Sequence, residues 1–99
     1  MRMATEFTTH GYTIDLDAVY HAMWDHSEIE GDQRVFNGRK KGVPAMKRLI
    51  ADLFDVPVAD KMHPVNHAVR SEVRDRLDEL GWATKDPGRG ARYVLYREL

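Results

Sequence analysis

The chain has 99 residues, 42% of them apolar and 31% charged, with a net charge of −1 and no cysteine. These figures describe one domain with a modest core; they exclude a disordered chain, a disulfide scaffold and thiolate chemistry. The segment MRMATEFTTH lacks the apolar run of a signal peptide and no stretch reaches membrane-spanning length, so the expectation is a cytoplasmic protein with no membrane partner.

Residues 4–14 are rich in Thr and aromatics around His10-Gly11. They suit a short strand, or a hairpin of Phe7-Thr8-Thr9 against Tyr12-Thr13-Ile14. The spacing of Leu16, Val19, Tyr20, Met23 and Trp24 predicts a first helix from Leu16 to about His26, with Asp15 as its N-cap. Ser27 to Asp32 is acidic and reads as a loop. Arg34-Val35-Phe36 suits a short strand ended by the turn pair Asn37-Gly38.

Arg39-Lys40-Lys41 follows. Most short charge runs are solvated loops; in front of a helix N-terminus, the same run can contact phosphate. Pro44 is expected at the first position of a second helix. Met46, Leu49, Ile50, Leu53 and Phe54 form its apolar stripe, and Pro57 its stop. Residues 55–63 connect to a third helix opened by Pro64, either as an enlarged turn or with an extra helical turn at Val58 to Lys61.

In the third helix Val65, Val69, Val73, Leu77 and Leu80 recur at helical spacing, and Gly81 suits its C-terminal cap. His67, Arg70, Ser71, Arg74, Asp75 and Asp78 then point outward, cations early and acids late. Arg74 and Asp78 stand at the i,i+4 spacing of an ion pair. A strand from Trp82 to Lys85, a tight turn over Asp86-Pro87-Gly88-Arg89-Gly90 and a strand from Ala91 to Tyr96 complete a hairpin. Arg89 stands at its tip, flanked by Lys85 and Arg92. Tyr93, Val94, Leu95 and Tyr96 alternate, so one side of this strand should seal the core under Trp82.

Charge is unevenly spread. Residues 1–33 hold seven acids and one cation, whereas residues 34–99 hold 14 cations against nine acids. This is compatible with one part of the molecule meeting phosphate, and equally with acids that only cap and solvate the first helix.

The run from Val73 through Gly81 to Ala83, followed by Pro87-Gly88-Arg89-Gly90-Ala91-Arg92-Tyr93-Val94, resembles the end of a recognition helix, its glycine stop and the wing of bacterial transcriptional regulators. Ile50-Ala51-Asp52-Leu53-Phe54-Asp55-Val56 resembles the second helix and turn of the same motif. The likeness is to the winged helix-turn-helix superfamily; its motifs cover 44–56 and 69–96, and its topology roughly 14–96. It implies an α+β fold: a single three-helix winged-helix domain over residues 1–99, with a C-terminal β-hairpin wing, a core at 14–96, and 1–13 as an arm or short strand. It further implies a DNA-binding transcriptional regulator, bacterial or phage, with the third helix in the major groove and the wing on the backbone or minor groove of double-stranded DNA. The long connection at 55–63 departs from the usual short turn.

On that reading Lys40 and Lys41 contact phosphate, Asn66, His67, Arg70, Ser71 and Arg74 present the reading face, and Arg89 and Arg92 belong to the wing. Arg70 and Arg74 have the chemistry to donate two bonds each to a guanine edge, and Asn66 or Ser71 to read a base or hold a phosphate. A different class stays open: a winged-helix protein-interaction module, an adaptor or inhibitor without DNA binding, which the near-neutral charge favours. A homodimer is also open, with an exposed Trp24 as its sign. His63 and His67 are four residues apart, but a metal needs more converging ligands. No nucleotide loop, nucleophile elbow or demanding carboxylate pair is present, so neither catalysis nor a cofactor is expected.

Overall fold

The N-terminal segment of the computed structural model, which describes residues 5–85 and 92–96, forms the hairpin. Strand β1 (Glu6–Thr9) runs antiparallel to β2 (Tyr12–Asp15), with Phe7 opposite Ile14. The two-residue link His10-Gly11 has φ of 51° and 83°, the left-handed pair that matches the twist of a hairpin. Asp15 ends β2 and caps α1 (Leu16–Asp25), its carboxylate accepting from the Asp17 amide at 3.0 Å. Leu16, Val19, Tyr20 and Met23 are buried on one face.

The acidic stretch after α1 is not a loop. Glu28–Glu30 forms β3, which turns at Gly31 and pairs antiparallel with β4 (Gln33–Asn37). Both glutamates alternate to one face of this ribbon, where cations receive them, and Ile29 takes the other face.

Helix α2 spans Met46–Phe54. Its N-cap is Ala45, so Pro44 precedes the cap rather than holding the first helical position as expected. The helix stops before Pro57 because Asp55 turns left-handed at φ 57°. Residues 55–63 contain no helical turn, so the enlarged-turn alternative is the one observed. Val56, 2% exposed, anchors the connection in the core. Helix α3 (Pro64–Glu79) begins at Pro64 as expected and buries Asn66, Val69, Val73 and Leu77. It closes with paired terminal bonds, the Gly81 amide to the Asp78 carbonyl and the Trp82 amide to the Leu77 carbonyl, each 3.1 Å.

Trp82 and Ala83 pack in the core rather than in a strand; β5 is only Thr84–Lys85. Strand β6 (Arg92–Leu95) pairs antiparallel with β5 and with β4, so the second sheet has the order β3-β4-β6-β5. The expected turn with Arg89 lies outside the described residues. The protein is thus an α+β fold of three helices and two antiparallel sheets. One apolar cluster joins them: Ile14, Tyr20, Met23, Phe36, Ile50, Val69, Val73, Leu77, Trp82, Tyr93 and Leu95. No helix among the described residues is long and apolar enough to cross a membrane.

Candidate nucleic-acid interface

The first two turns of α3 lie beside the first turn of α2, and Asn66 joins them. Asn66 is 2% exposed and donates from Nδ2 to the Lys47 carbonyl at 3.1 Å. The expected role of this side chain in reading a base or holding phosphate is therefore corrected. It fastens α3 to α2, because it stands three, seven and eleven positions before Val69, Val73 and Leu77, on the buried stripe.

The remaining residues of the early α3 face do gather. His67, Arg70, Ser71 and Arg74 line a groove of about 320 Å³ together with Ala45, Met46 and Lys47 of the α2 start, Met62 and Tyr93. Among the described residues no carboxylate lines it. Arg70 donates from Nη2 to His67 Nδ1 at 3.4 Å, makes no ion pair among the described residues, and keeps a buried Nε without a partner. Arg74 reaches Asp75 only at 3.7 Å; the expected pair with Asp78 does not form. Burial pushes the Tyr93 hydroxyl above its ordinary value; the charges of the nearby Arg74 and Arg70 oppose that rise, and that of Asp78 adds to it. Both arginines share the groove lining with Tyr93 of β6.

Lys40 and Arg92 are held elsewhere. Phe36 faces Tyr93 across β4 and β6, and Asn37 faces Arg92, so alternation puts Arg92 on the sheet face opposite Tyr93. There Arg92 Nη2 donates to Glu30 Oε1 at 2.8 Å, and the Lys40 ammonium pairs with Glu28. The two acids of β3 therefore neutralise two of the expected phosphate contacts. Lys41 is exposed in the turn before α2 and makes no ion pair among the described residues. Arg89 lies outside them.

Sequence reading missed Lys47, Tyr93, Glu28 and Glu30. Lys47 follows the buried Met46 by one position, so it opens the solvent side of α2; placing the helix start after Pro44 would have revealed it. The alternation Glu28-Ile29-Glu30 before a Gly31 turn was the signal for β3.

A second groove, about 510 Å³, lies at the other end of the sheet, between Trp24, Ile29, Asp32, Gln33, Arg34, Val94, Leu95 and Tyr96. Trp24 is half-buried rather than exposed: the Arg34 guanidinium sits 4.2 Å from its ring centroid. Ile29 and Tyr96 are 62% and 52% exposed. Among the described residues no three His, Asp or Glu side chains gather as a metal site. Comparisons with protein families, with curated proteins and with solved structures return no match.

Proposed function

We propose that the protein is a DNA-binding transcriptional regulator of winged helix-turn-helix type, working on double-stranded DNA in the cytoplasm. The observation that carries this reading is the groove on the early turns of α3, which Lys47, Arg70 and Arg74 line and, among the described residues, no carboxylate does. Such a surface attracts a polyanion and raises its local concentration. The fold supports the reading. A strand between the first two helices pairs with the last strand of a C-terminal hairpin, and α3 packs beside the resulting sheet. The N-terminal hairpin and β3 are additions to that plan.

Fluorescence anisotropy on randomised duplexes, followed by enrichment of bound sequences, tests it. The wild-type chain should bind at low salt and release as salt rises; the Arg70→Ala and Arg74→Ala variants should each lose about 1–3 kcal/mol of affinity. No binding to any duplex at low salt rejects the reading.

The protein-interaction alternative is favoured by one observation, the second groove with its exposed Ile29 and Tyr96. Under it, Ile29→Asp should abolish partner binding in titration calorimetry and leave the Arg70 and Arg74 variants unaffected.

A further inference from the structure

We propose that the α2–α3 groove is a pocket for a single phosphoryl group, in which Arg70 and Arg74 hold phosphate oxygens rather than base edges. The proposal rests on the nucleic-acid reading for its physiological source, a backbone phosphate.

Four observations converge. The groove is concave and lined by three cations, a histidine and a serine; among the described residues no acid lines it, and the acid paired with Arg74, Asp75 at 3.7 Å, lies outside the lining. Its volume of about 320 Å³ is some ten times the roughly 30 Å³ share of a liquid water, ample for a phosphoryl group with solvent. Arg70 keeps a buried Nε without a partner while its charge goes unpaired. Both arginines line the groove together with Tyr93 of β6, whose hydroxyl feels the charges of Arg74 and Arg70. An arginine that reads a guanine edge must extend from its helix into the plane of a base pair. These two line the recess beside Tyr93, and the Arg74 side chain is only 30% exposed. A planar guanidinium offers two parallel N–H groups to a phosphate in that position. The start of α2 adds to the field: Ala45 supplies no side-chain acceptor to the first amides of the helix, and Ala45, Met46 and Lys47 line the groove. Asn66 fixes the geometry by tying α3 to the Lys47 carbonyl.

This separates two jobs that the sequence places on the same arginines. Anchoring belongs to Arg70, Arg74 and Lys47. Any discrimination among sequences belongs to other groups, with the exposed His67 nearest.

Two measurements on the full chain decide it. Arginine Nε–Hε signals and backbone amides are followed by NMR as inorganic phosphate alone is added, against chloride at equal ionic strength. Saturable shifts confined to Arg70, Arg74, Met46 and Lys47 are expected. Affinity for an enriched and a scrambled duplex is then compared for wild type, Arg70→Gln and Arg74→Gln. Each variant should lose roughly tenfold on both duplexes alike and lower the slope of log affinity against log salt by about one. Arg70→Lys, which keeps the charge, should recover part of the loss. Absence of phosphate shifts beyond the chloride control overturns the pocket, as does a variant that loses discrimination between the duplexes. Phosphate shifts in a wild-type chain that ignores every duplex would uphold the pocket, assign it to a small phosphorylated molecule, and overturn the nucleic-acid reading.

Discussion

Asn66 and Glu72 mark the two ends of what a polar side chain does on α3. Asn66 is enclosed and joins two helices through one hydrogen bond, which satisfies part of its amide inside the core. Glu72 sits where the N-terminal hairpin crosses the helix. There the Thr9 side chain and Arg76, four positions on and in contact at 3.2 Å, hold the Glu72 carboxyl below its ordinary value, Thr9 contributing most. The folded chain therefore binds this proton less readily than the unfolded chain. The associated stability is present above the unfolded value and is lost as pH falls through the folded one. In urea unfolding across an acid series, Glu72→Gln or Thr9→Val should flatten the loss of stability below about pH 5. Asp78 works in the opposite sense. Burial, reinforced by Asp75, raises its carboxyl, so acid relieves a cost there instead of removing a benefit.

At the scale of elements, α3 is defined by its two ends. Pro64 fixes the first turn, and Gly81, at φ 73°, lets the chain leave through the pair of bonds to Asp78 and Leu77. A methyl group on Gly81 would meet only the Tyr96 ring edge, at 3.7 Å, an ordinary contact. The cost of Gly81→Ala is therefore a backbone cost, about 1–2 kcal/mol, read as a lower midpoint in thermal or urea unfolding with the fold intact. Both ends of α3 were legible in the sequence because proline and glycine act on their own backbone. The Asp15 cap was legible for the same reason, since its acceptor meets an amide two residues away. Less was legible where the deciding partner is remote. Glu28 and Glu30 resemble a solvated acidic loop until Lys40 and Arg92, 12 and 62 positions downstream, are brought against them. Asn66 was assigned by residue type, although its helical position already matched the buried stripe. Of the candidate site, the α3 cations were readable from periodicity. Their recess against Tyr93 was not, because it depends on β6 docking beside α3.

For the whole molecule, a net charge of −1 arises from separation rather than scarcity. Acids gather in the first third of the chain and fold back as β3 over the outer sheet face, while the α2–α3 groove stays free of them. The two ion pairs are solvent-exposed, and each is worth about 0–1 kcal/mol. The double variant Glu28→Gln, Glu30→Gln should therefore unfold at nearly the wild-type denaturant midpoint. Its duplex affinity at low salt should rise, and its salt dependence should steepen by up to about one in slope as Lys40 becomes available to phosphate.

The same strand is the outermost of its sheet. Among the described residues its outer edge faces no further strand, so its amides and carbonyls there form a template on which another chain can add, with Ile29 as an apolar contact. Two glutamates on three residues make that addition costly, because a second copy laid antiparallel would set Glu28 against Glu30. The pair thus acts as a gatekeeper against fibrillar self-assembly, and a chain relieved of it to grip a polyanion more tightly becomes more prone to aggregate in storage.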